Sequence, residues 1–63
     1  MKEVFRDSRN VIYETEKGNI VSICRDSSFK NYYHVVVRRP DEKGQTIKTR
    51  CTWETAFAVA KEY

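Results

Sequence analysis

The side chains able to do chemistry in this chain are few: one histidine, His34, and two cysteines, Cys24 and Cys51. A histidine acting as a general base needs an acid or a nucleophile within hydrogen-bond reach. The alternation of residues along the strands described below puts Lys48 and Arg50 beside His34 instead, so it reads as a surface histidine. The spacing of Cys24 and Cys51 matches no zinc signature, and a single histidine does not complete one. Arg25 follows Cys24 directly, and a neighbouring cation lowers a thiol pKa. One flanking cation is weak activation, however, and Cys24 reads as an incidental, partly buried thiol. Cys51 reads as a small core residue. Placement on opposite faces of a sheet argues against a disulfide between them.

The carboxylates Glu14, Glu16, Asp26, Asp41, Glu42, Glu54 and Glu62 fall mostly at turns and helix ends, and none pairs at a metal-binding spacing. Gly18 and Gly44 each serve a hairpin, which leaves no glycine loop to cradle a phosphate. The expectation is therefore a non-catalytic protein with no cofactor, no metal site and no small-molecule substrate. A chain of 63 residues with one helix also offers little concave volume for a substrate.

What remains is charge. Twelve Lys and Arg against nine Asp and Glu give a formal net charge of +3. That balance suits nucleic acid or an acidic protein surface, provided the cations share one face. Which residues share a face depends on the elements that carry them.

The length fits one domain, residues 1–63, that buries only roughly 60% of its unfolded surface. Residues 1–9 are polar apart from Met1, Val4 and Phe5, and read as an arm or a short extra strand. Asn10 to Thr15 and Asn19 to Arg25 read as strands joined by Glu16-Lys17-Gly18. A three-residue loop ending in glycine suits a type I turn followed by a residue at positive φ. It pairs Tyr13 with Val21 and Val11 with Ile23, keeping four apolar side chains on one face. Asp26 to Lys30 is a polar connection in which Phe29 is expected to lid the core. Asn31 to Arg39, rich in valine and tyrosine, is the strongest strand signal. Pro40 ends it, and Gln45 to Thr52 is the next strand. A five-residue loop from Pro40 to Gly44 pairs Val37 with Ile47, Val35 with Thr49 and Tyr33 with Cys51. Thr52 is an N-cap for a helix that runs to Tyr63.

The fold class expected is α+β. An antiparallel sheet of three to four strands, made of two hairpins, carries one C-terminal helix on one face. The core is expected to hold Val11, Tyr13, Val21, Ile23, Tyr33, Val35, Val37, Ile47 and Cys51, closed by Trp53, Phe57, Val59 and Ala60. The other face has no helix to cover it. On its second hairpin it is expected to present Tyr32, His34, Val36, Arg38, Lys48 and Arg50, with Arg39 at the rim and no carboxylate. Tyr32 and His34 could stack on bases, and the cations attract phosphates.

The stretch Asn31 to Tyr63 resembles the small sheet-plus-helix DNA-binding domains: the arm-binding domains of tyrosine integrases and the plant ethylene-response-type domains. The shared features are strands followed by a C-terminal helix, Tyr32-Tyr33 opening one strand, a basic-polar turn and an alanine-rich helix. The likeness is one of layout, and the N-terminal hairpin departs from it. It implies that the sheet face opposite the helix enters the major groove.

The expected function is nucleic-acid binding, DNA ahead of RNA, through Tyr32, His34, Arg38, Arg39, Lys48 and Arg50. The alternative is a small interaction module or inhibitor that binds an acidic surface on a larger protein by the same face or by an edge strand. In size and compactness the chain is similar to regulators common in phage genomes. No secretory leader is read at Met1-Lys2-Glu3, and the longest apolar run, Ala56 to Ala60, is too short for a membrane span. An intact, cytoplasmic protein with reduced cysteines is expected.

Overall fold

The computed structural model describes all 63 residues. Five strands lie in sequence order as one antiparallel meander. They are β1 (Lys2–Arg6), β2 (Asn10–Glu14), β3 (Ile20–Arg25), β4 (Tyr33–Arg38) and β5 (Gln45–Cys51), followed by one helix, α1 (Trp53–Ala60). The α+β class is as expected, but the sheet has one strand more than expected. The extra strand is β1, built from the residues read as an arm or a short extra strand. It pairs with β2, setting Phe5 opposite Ile12 and Arg6 opposite Val11, with a bulge between Glu3 and Phe5.

The first hairpin has the expected register: Tyr13 opposite Val21 and Val11 opposite Ile23. Gly18 takes φ +84°, which a Cβ would oppose. The Gly18 N–H donates to the Thr15 carbonyl at 3.0 Å, and the Thr15 N–H donates to the Asn19 carbonyl at 2.9 Å.

The second hairpin has a different register. Tyr33 faces Cys51 as expected, but Val35 faces Lys48, Val36 faces Thr46 and Val37 faces Gln45. Two irregularities separate these pairs, and each inserts one extra residue on β5. Arg50 lies in one of them at φ +49°. The connection beyond Arg38 is correspondingly longer than the five residues expected, with Asp41 at φ +63°. Gly44 passes so close to Val36 that an added Cβ would lie 3.2 Å from its Cγ1.

The core sits between the sheet and α1. Val21, Ile23, Val35 and Val37 are its largest fully buried side chains, joined by Val11, Tyr13 and Cys51. The helix meets them through Ala56 and Ala60, both fully buried. A methyl group at each of these contacts lets the helix axis lie close to the strands. Tyr33, Ile47, Trp53, Phe57 and Tyr63 pack around this centre. Thr52 caps the helix, its side chain accepting from the Thr55 N–H at 3.3 Å.

The far end of the helix is tied to the first hairpin. The main-chain oxygen of Tyr63 accepts from Asn19 Nδ2 at 2.7 Å and from Thr15 Oγ1 at 3.1 Å. Thr15 and Asn19 are both buried. Asn19→Ala removes the shorter of these bonds and is expected to destabilise the domain by about 1–2 kcal/mol, read as a lower thermal midpoint. An unchanged midpoint would mean that the helix end is held by packing alone.

Candidate nucleic-acid interface

The pairings define what the uncovered face of the sheet carries. One row runs Lys2, Glu14, Ile20, Arg38. The middle row runs Phe5, Ile12, Ser22, Val36, Thr46. The third runs Asn10, Cys24, His34. The middle of the face is therefore uncharged, with Phe5, Ile12 and Val36 beside Ser22 and Thr46, and its charges are pushed to the two ends.

The six residues expected to form one patch are divided accordingly. Tyr32, His34 and Arg50 lie together at the end where β4 begins. Arg38 lies at the opposite end, four residues along β4 from His34, or about 13 Å. Arg39 leaves the face: its guanidinium sits 5.5 Å from the ring centroid of Tyr63, a residue packed on the helix side. Lys48 leaves the row as well. It is exposed, but it stands opposite Val35, which is fully buried under the helix. The expected alternation would have set it opposite Val36. The extra residues on β5 are the reason.

Where Tyr32, His34 and Arg50 meet, the structure adds residues that strand alternation did not point to. Phe29, expected as a lid on the core, is instead 43% exposed. Its ring meets Tyr32 edge to face at 6.1 Å, and the Arg50 guanidinium lies 5.0 Å from its centroid. Arg50 is held with a left-handed backbone, a conformation that costs a non-glycine residue about 1 kcal/mol or more. Such strain is often found where a side chain must be aimed. Arg9, at the β1–β2 turn, and Arg25, ending β3, are adjacent, the Arg25 N–H donating to the Arg9 carbonyl at 2.8 Å. With Lys30 they line an open cleft of about 400 Å³ whose other lining residues are Ser8, Asp26, Ser27 and Ser28.

Two turns of the same design shape this end. Arg6-Asp7-Ser8 follows β1 and Arg25-Asp26-Ser27 follows β3. The Asp7 carboxylate accepts from the backbone N–H groups of Arg9 and Asn10 at 2.8 and 2.7 Å. The Asp26 carboxylate accepts from those of Ser28 and Phe29 at 2.7 and 3.1 Å. Aspartate favours such turns because its short side chain reaches amides two and three residues on. The bonds hold both carboxyls below the usual carboxylate range, and at Asp26 the charges of Arg50 and His34 lower it further.

The charge balance of this end follows. Arg6 and Glu3 form the chain's one ion pair, a two-pronged contact at 2.9 and 3.1 Å. Arg9, Arg25, Lys30 and Arg50 are in no ion pair. The carboxylates among them, Asp7 and Asp26, turn oxygens onto backbone amides. At the other end Lys17, Arg38, Arg39 and Lys43 are interleaved with Glu14, Glu16, Asp41 and Glu42. The helix also starts at the first end, beside Tyr33, where Glu54 in its first turn offsets the positive pole of its dipole.

Cys24 shares this face, and its thiol pKa is raised, by burial first and by Asp7 second. This fits the reading of Cys24 as an incidental, partly buried thiol; Arg25, its neighbour in sequence, pairs with Tyr33 on the helix side. Both cysteines are free.

The lowered aspartates carry a pH dependence. A carboxylate whose folded pKa lies below its unfolded value stabilises the fold fully above the unfolded value, near 4, and the contribution is lost as pH falls through the folded one. Acidification below about pH 4 is therefore expected to release the two turns. The amide signals of Arg9, Asn10, Ser28 and Phe29 should shift together in an NMR titration. Signals that stay fixed down to pH 2 would contradict the role given to these aspartates.

No protein-family model, curated protein or solved structure matches the chain. No helix is long and apolar enough to cross a membrane. The expected groove-reading face is not a continuous row of cations: the centre of the face opposite the helix carries Phe5, Ile12, Ser22, Val36 and Thr46.

Proposed function

We propose that the protein binds single-stranded nucleic acid at the end of the sheet formed by the β1–β2 turn, the β3–β4 connection and Arg50. The observation that supports this most is the local imbalance of charge. Arg9, Arg25, Lys30 and Arg50 are in no ion pair and outnumber the two aspartates between them, which backbone amides hold in place as carboxylates. Phosphates are attracted to such a surface without regard to sequence. The exposed rings of Phe29 and Tyr32 supply the second ingredient, faces on which bases stack at about 1–3 kcal/mol each. A single strand suits them better than a duplex, whose bases are already stacked. The role belongs in the cytoplasm, where Cys24 and Cys51 stay reduced.

Fluorescence anisotropy with a labelled 12-nucleotide strand tests this. Affinity is expected to fall steeply with salt, with a logarithmic slope of about −0.7 for each phosphate contacted. A salt-independent affinity, or none at low salt, would overturn the proposal.

A second reading, contact with a protein partner, has an observation of its own. Phe5 is 50% exposed beside Ile12 in the uncharged middle row. Such a contact would depend on Phe5 and tolerate salt.

A further inference from the structure

A second cleft opens on the helix side of the basic end. It measures about 230 Å³ and shares Arg9 and Arg25 with the first. Val11 and Ile23 line its interior, and Tyr33 and Trp53 flank it, their rings edge to face at 5.4 Å. That volume is below the range of pockets for drug-sized ligands, so the space suits one small group of a larger molecule. We infer that this cleft receives the terminal phosphate of a nucleic-acid strand, an inference that rests on the function proposed above.

Three arginines line the cleft, and they are not equivalent. Arg6 is committed to Glu3 by two bonds. Arg9 and Arg25 have no partner for their guanidinium groups within the chain, although their backbones are hydrogen-bonded to each other. A guanidinium presents a planar fork of N–H donors that matches phosphate oxygens. Two such forks at one rim favour a doubly charged phosphomonoester over the singly charged diester of the strand interior. Asp7 lines the cleft too, and the amides of Arg9 and Asn10 hold it as a carboxylate, so the two free guanidinium groups attract a phosphate against one opposing charge. The aromatic flank adds direction. A strand whose last phosphate enters the cleft would leave past Arg25 toward Lys30 and Phe29, on the route given to its bases.

Trp53 is the chain's one tryptophan, so its fluorescence reports directly on the cleft. Titration with inorganic phosphate at constant ionic strength is expected to change Trp53 emission saturably. Arg25→Gln should abolish the change and Arg38→Gln should preserve it. An oligonucleotide with a 5′ or 3′ phosphate should bind about tenfold more tightly than its hydroxyl-ended counterpart, and that preference should vanish in Arg25→Gln. No saturable response to phosphate, or equal affinity for phosphate-ended and hydroxyl-ended strands, overturns the inference. Equal affinity would leave strand binding itself standing. Failure of both strands to bind would sink the proposed function, and the phosphate titration would still decide the cleft.

Discussion

Arg25→Glu, Lys30→Glu and Arg50→Glu in one chain should weaken single-strand binding by about a hundredfold or more and flatten the salt slope by about 2. Three phosphate contacts are lost, and three like charges replace them. The control is a second triple variant, Lys2→Glu, Lys17→Glu and Lys43→Glu, at the opposite end. Each reversal removes two charges, so both variants pass from +3 to −3. Long-range attraction to a polyanion falls equally in both. Only local contact separates them, and the control should lose no more than about tenfold, the share due to net charge alone. All six positions are exposed, so the fold should survive in both. Equal losses would mean that the protein binds by overall charge, with no defined site.

The second large effect concerns the two faces. Ile23 is 1% exposed at the centre of the core, between Val11 and Val35. Ile23→Ala should cost about 2–5 kcal/mol through lost transfer energy and the cavity left behind. A domain of 63 residues has roughly 3–9 kcal/mol of stability in total. The variant should therefore melt about 8 °C or more lower, and it would not fold if the loss exceeds the total stability. Ile20, on the uncovered face of the same strand, is only partly buried. Ile20→Ala should cost about 1 kcal/mol or less, because its site is already wet. Comparable losses at both positions would show that something covers the second face.

These effects bear on how far the sequence could be read. The first hairpin was legible because a glycine stood where the chain needs positive φ, and the alternation on either side allowed one register. The second hairpin was not. Ile47, Thr49 and Cys51 alternate without a break, yet two extra residues are absorbed along β5. The signal of a bulge is commonly a glycine, and here the left-handed position is filled by Arg50. β1 was ambiguous for a related reason. Val4 and Phe5 are adjacent, an apolar pair with no alternation, and the irregularity between Glu3 and Phe5 reconciles that pair with an edge strand.

The candidate site was half legible. Tyr32, His34 and Arg50 were expected to share a surface and do so. Arg9, Arg25, Phe29 and Lys30 come from two separate connections that only the meander brings together. One sequence signal does mark the place. Arg-Asp-Ser occurs twice, at 6–8 and 25–27, and both copies open turns at the same end of the sheet. Arg39 and Lys48 left the shared surface through the geometry of β5 and its loop, which composition does not reveal, whereas Arg38 stays on the face but at its other end, a separation its spacing from His34 along β4 already fixed.

The most direct test is backbone chemical-shift mapping of the ¹⁵N-labelled protein against a short single-stranded DNA, the matching RNA, a DNA duplex and, as an acidic-protein control, polyglutamate. The expected result is perturbation by the single strands at residues 6–9, 25–34 and 50, with the duplex weaker. Shifts confined to Phe5, Ile12 and Val36, shifts equally strong with polyglutamate, or no shifts with either single strand, would contradict a nucleic-acid site at this end of the sheet.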